Sequence, residues 1–91
     1  MVTNGTRAVV VIDRGWIFAG DVEVNHHSTS HSGSIILTNV VHVQSWSSVG
    51  FDGMISNPVS KNVNIKRMEE PVEVPNHSII FQVPVKQNWG L

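Results

Sequence analysis

His42, Gln44 and Trp46 occupy every second position toward the end of a long apolar stretch. On a strand they would project from one side, successive residues about 7 Å apart. Ser45, Ser47 and Ser48 add hydroxyls at the same end, and Arg14 stands two residues from Trp16 in a turn sequence. Those residue types suit binding rather than turnover: aromatic planes stack on bases, the amide and imidazole hydrogen-bond, and phosphate accepts from hydroxyls, backbone amides and arginine. The candidate ligand site is therefore Trp46, Arg14, His42, Gln44, Ser45, Ser47, Ser48 and Trp16. The competing reading places Trp46 and Trp16 in a core or a subunit interface, where tryptophan is common.

Other chemistry fails on spacing. His26, His27 and His31 could count as metal ligands, but they lie among Ser, Thr and Asn with no neighbouring Asp, Glu or Cys. Their i,i+4 spacing converges only on a helix, so no metal or other cofactor is expected. No serine lies in a G-x-S-x-G turn. Asp13 and Asp21 flank a hairpin as a carboxylate pair could, although acids there are usually solvated turn formers. Gly15 and Gly20 precede a strand and so cannot cradle phosphate at a helix N-terminus. The chain is expected not to be an enzyme.

The elements that would hold such a site are strands. Valine and isoleucine supply 24 of 91 residues, whereas leucine and alanine together supply four. Side chains branched at Cβ crowd a helical turn and pack well on a pleated surface. Arg7–Asp13 reads as a strand buried on both faces, followed by a tight turn at Asp13-Arg14-Gly15. Along Trp16–Val24, Trp16, Phe18, Val22 and Val24 share one side and Ile17, Ala19, Asp21 and Glu23 the other, with Gly20 marking a bulge or a close backbone approach. Ser34–Trp46 is the longest strand. Ile35, Leu37, Val41 and Val43 share a parity with Asn39, so either that asparagine is buried or Thr38-Asn39 is a bulge. Val49, Phe51, Met54 and Ile55 suit about one turn of helix, weakened by glycines. Asn62–Met68 and His77–Val83 alternate again, the latter with Ile79, Phe81 and Val83 on one face. Pro71 and Pro75 keep Val72-Glu73-Val74 out of a sheet centre. Asn25–Gly33 reads as a flexible polar loop and Pro84–Leu91 as a tail. The expectation is one all-β domain over residues 1–91, a small antiparallel sandwich or partly rolled barrel of five to six strands with at most one short helical turn.

A core this small is marginal alone, so a homo-oligomer is expected, with Trp89 and Leu91 of the tail contributing to association. The net charge is −1 and the six basic residues are scattered. That pattern argues against long nucleic acids and membranes as partners. With no cysteine, thiolate chemistry is excluded, and nothing at the N-terminus has the form of a signal peptide, so the cytosol is the expected setting.

Val10–Gly20 (VVIDRGWIFAG), Ile35–Trp46 (IILTNVVHVQSW), a half-helical stretch and a closing strand before a terminal Trp resemble a family of small phage and prophage proteins. In that family a valine-rich strand enters a G-[aromatic or aliphatic]-[aromatic]-x-G turn, matched by Gly15, Trp16, Ile17, Phe18 and Gly20. A later strand ends in tryptophan before a helical turn, as at Trp46. The long Ser/His loop and the residues Ser47, Ser48 and Gly53 depart from the pattern. The resemblance implies a β domain from a mobile element and supplies no catalytic residues. It leads to the expectation of a protein that sequesters a nucleotide immune signal, such as a cyclic dinucleotide, with a virion component or an inhibitor of a host defence protein as the alternatives.

Overall fold

A computed structural model describes residues 5–25, 33–46 and 48–91. Six strands, β1 (Arg7–Ile12), β2 (Ile17–Asn25), β3 (Ser34–Ser45), β4 (Asn64–Arg67), β5 (Val72–Pro75) and β6 (Ile79–Pro84), pair antiparallel in the order β4-β3-β2-β1-β6, with β5 also on β3. One helix, α1 (Gly50–Ser56), lies between β3 and β4, and 3-10 turns occupy Asp13–Gly15 and Asn76–Ser78. The expected all-β class holds. So does the central place of β1, where Ala8, Val9 and Val10 are fully buried.

β4 and β5 run along successive halves of β3, Ser45 to Val41 and then Leu37 to Ser34. They make one margin of the sheet, interrupted at Met68–Pro71. β6 makes the other margin. Three residues, Asn76–Ser78, join β5 to β6. A chain of that length reaches only about 10 Å, so the sheet must curl until its two margins approach at this end.

Both faces of the curled sheet are apolar. Val9, Ile17, Ala19, Val41 and Val43 line one face, which α1 covers with Met54 and the tail covers with Trp89. Ala8, Val10, Val22, Ile35, Leu37, Val40 and Val74 fill the other. The change of face along β3 occurs at a bulge. Ala19 pairs with Val41 but Asp21 pairs with Thr38, which leaves β3 with one extra residue. Asn39 takes φ 51° there and is exposed. Of the two readings offered for that asparagine, the bulge is the observed one. It also corrects the shared parity of Ile35, Leu37, Val41 and Val43: an extra residue rotates everything beyond it to the opposite face.

Gly20 sits across from this bulge for a steric reason. A Cβ there would stand 2.9 Å from the Leu37 Cβ and 3.1 Å from the Thr38 carbonyl oxygen. Gly20→Ala is therefore expected to cost about 1–3 kcal/mol through overpacking. Urea unfolding checks this: a lower midpoint at unchanged slope is expected, and an unchanged midpoint would mean that the two strands separate freely.

β6 is bulged as well. Val11 pairs with Phe81 and Ile12 with Ile79, so Ile80 is the extra residue. Ile79 then packs with the face of Val10 and Leu37, and Val83 with the face of Val9 and Val41. The common face expected for Ile79, Phe81 and Val83 is broken between the first and the last.

Candidate functional site

A third bulge decides the candidate site. Val43 pairs with Ile65 and Ser45 with Asn64, so Gln44 is extra on β3. Upstream of it, His42 lies opposite Phe18 of β2. Beyond it, Trp46 packs with the α1 face, edge-on to Phe51 with ring centres 5.7 Å apart. His42 and Trp46 thus serve opposite sides of the sheet. The single face expected to carry His42, Gln44 and Trp46 does not form, and Trp46 is a packing residue beside the helix.

The structure brings a different set together. Trp16 closes the first turn, Phe18 follows two residues later on the same side of β2, and His42 reaches them from β3. Ring centres are 6.2 Å apart for Trp16 and Phe18 at an interplanar angle of 3°. His42 lies 5.3 Å from Trp16 and 5.1 Å from Phe18, at 28° and 29°. The Trp16 and Phe18 rings are thus parallel and offset, and the imidazole is tilted against both. Phe18 is anchored by packing against the Val10 and Leu37 face, while Trp16 remains 52% exposed.

Arg14 is exposed and adopts φ 64° in the turn that leads to Trp16, next to the equally exposed Asp13. Lys66 of β4 pairs with His42 and is exposed, so a cation flanks the stack on that side. A shallow, open depression adjoins it, lined by His42, Gln44, Lys66, Met68, Glu69 and Glu70 among others. Ser45 and Ser48 are exposed, and the Ser48 hydroxyl donates to the Asn62 carbonyl at 3.4 Å, away from the stack. Ser47, His26, His27 and His31 lie outside the described residues.

Phe18 and Lys66 complete the set without having been among the sequence candidates. Phe18 was within reach, since it alternates with Trp16. Lys66 was not, because its place beside His42 depends on a register between strands 24 residues apart.

Asp13 and Asp21 do not form a carboxylate pair. Asp13 stays in the turn, while Asp21 stands opposite Arg7 at the far end of the β1–β2 ladder. Its Oδ1 accepts from Arg7 Nη1 at 3.2 Å and its Oδ2 from Asn39 Nδ2 at 2.9 Å. Arg7 is fully buried, and its Nε donates to the Trp89 carbonyl at 2.8 Å. This network fastens the β3 bulge and the tail to β1. Among the described residues no group of three His, Cys, Asp or Glu side chains could hold a metal ion. No helix among them is long and apolar enough to cross a membrane.

The sheet margins are the other exposed feature. Ile80 and Phe81 on β6 are 62% and 45% exposed, beside an edge that pairs only with β1 on its inner side.

No protein-family model matches this chain, and no curated protein matches it. Among solved structures it is similar to a heptameric archaeal Sm protein, one described for its implications for the eukaryotic snRNP core. The similarity covers 91% of this chain and 90% of that one at a TM-score of 0.56 and 14% sequence identity. At that identity the likeness defines a fold, and the fold is Sm-like. It overturns the expectation of a protein that sequesters a nucleotide signal, because the architecture matched over nearly the whole chain is that of an Sm protein. The binding face imagined around Trp46 is also absent.

Proposed function

We propose that this chain is a non-enzymatic subunit of a homo-oligomeric ring that serves as a scaffold for RNA. The observation that carries the reading is the pair of unlike margins. An unpaired edge is a template for further strands, and proteins guard such edges with charge and proline. The β4–β5 margin is guarded in this way by Lys66, Arg67, Glu73, Pro71 and Pro75. The β6 margin instead presents Ile80 to solvent, beside a half-exposed Phe81 that lies edge-on to Phe51 of α1 with ring centres 5.5 Å apart. Two β4–β5 margins are thereby discouraged from pairing with each other, which leaves β6 as the open edge that a second copy can extend. Where that extension is head-to-tail, the contacts close into rings when the rotation between copies is right. The Sm-like neighbour is a heptamer whose structure bears on a ribonucleoprotein core, which supports both the ring and RNA as the partner class. This reading proposes RNA as the partner where the scattered basic residues led to the expectation of no long nucleic acid.

Native mass spectrometry should find one defined oligomer at micromolar concentration. The variant Ile80→Lys should be a monomer with an unchanged β-type circular dichroism spectrum. A wild-type monomer, or an oligomer of the same mass in the variant, would refute the edge-to-edge ring.

A further inference from the structure

Within the RNA-scaffold reading, we infer that Trp16, Phe18 and His42 form a nucleobase-stacking site for single-stranded RNA, one site per subunit. Two near-parallel aromatic rings, Trp16 and Phe18, with His42 packed against both at a tilt of 28–29°, make a preorganised aromatic patch. Phe18 is fixed by the core beneath it and His42 by the strand pairing, so the outermost ring, Trp16, is oriented without ordering at the moment of binding. Packing does not demand this arrangement, because about half of Trp16 remains in water. An incoming base covers that apolar plane and continues the stack, the sequence-tolerant mode by which single strands are held.

The adjoining feature is a shallow, open depression lined by His42, Gln44, Lys66, Glu69 and Glu70 among others. Gln44, pushed out as the extra residue of its bulge, supplies a donor and an acceptor to a base edge. Lys66 supplies a cation for phosphate. Glu69 and Glu70 on the wall supply acceptors only, so they favour bases that carry an exocyclic amino group and disfavour uracil, which has none. Charge near the stack is balanced, Arg14 by Asp13 and Lys66 with Arg67 by the two glutamates. Binding is therefore carried by stacking, and its salt dependence is shallow: one or two phosphate contacts predict less than about a tenfold loss between 50 and 200 mM salt. Repetition of the site around a ring adds avidity without any new contact.

Fluorescence anisotropy with short labelled oligo(A) and oligo(U) tests the site, with the mass of every variant measured alongside. Wild type should bind oligo(A) several-fold more tightly than oligo(U). Trp16→Ala should weaken oligo(A) binding about 5- to 150-fold at unchanged mass, Trp16→Phe should retain most of the affinity, and Lys66→Glu should lower it several-fold. The site is refuted if the wild type binds neither oligomer at micromolar concentration, or if Trp16→Ala binds as wild type does. It is also refuted if Trp16→Ala unfolds the chain or dissociates the assembly, since Trp16 would then be a packing residue or a contact with a second copy. A monomeric wild type that binds RNA through Trp16 would remove the ring and leave the stacking site standing.

Discussion

Asp21→Ala is expected to destabilise the fold by about 3–5 kcal/mol, although Asp21 itself is partly open to solvent. The cost arises at its partner. Arg7 has no exposed surface, and only two of its side-chain nitrogens have partners, Nη1 on Asp21 and Nε on the Trp89 carbonyl. Nη2 already has none. Loss of the carboxylate strands a buried cation and also frees Asn39 Nδ2 at the β3 bulge. An exposed ion pair would be worth no more than about 1 kcal/mol, so the size of the effect separates the two situations. The control is Arg7→Met, which keeps most of the volume without the charge. In that background Asp21→Ala should cost no more than about 1 kcal/mol, and a double-mutant cycle by urea unfolding reads the difference as coupling. An Asp21→Ala loss below about 1 kcal/mol in the wild-type background would mean that Arg7 finds another partner or water.

Trp89→Ala is expected to cost a similar 3–5 kcal/mol, a large share of the roughly 5–14 kcal/mol that holds a domain of this size together. Trp89 is 6% exposed and belongs to the cluster of Val9, Val41 and Met54. Its Nε1 donates to the Ile55 carbonyl in α1 at 2.9 Å, so one side chain joins tail, helix and sheet. Gly90 follows at φ +74°, where a Cβ would press on Val41 Cγ2 at 3.3 Å, which keeps the tail flat against the strand. Trp89→Phe should retain most of the packing and lose about 1 kcal/mol with the indole hydrogen bond. Thermal unfolding checks the series, and a melting temperature for Trp89→Ala within a few degrees of wild type would show the tail to be dispensable. With Trp89 covered within the core, the expectation that it contributes to association is corrected. Leu91, 47% exposed, is left outside that core. Removing the tail would take away the cover of the sheet and a partner of Arg7 along with it.

Composition and alternation determined the strand-built class, the buried first strand, the turn at Asp13-Arg14-Gly15 and the short helix around Phe51 and Met54. Each of these follows from local steric preferences, which any stretch of the chain carries with it. Trp16 and Phe18 were legible as neighbours for the same reason. What the sequence could not determine was which face each residue serves beyond a bulge. Asn39, Gln44 and Ile80 each add one residue to a strand, and one residue reverses the parity of everything after it. The sequence marks Asn39 as a possible bulge and marks Gln44 and Ile80 not at all, because a bulge is defined by the pairing of two strands. Tertiary structure therefore decided that His42 joins Trp16 while Trp46 turns to the helix, and that Arg7 and Asp21 meet under cover. It also decided that Trp89 folds back 82 residues to the strand where the chain begins its sheet, since the space that the indole fills exists only once α1 packs on that face of the sheet.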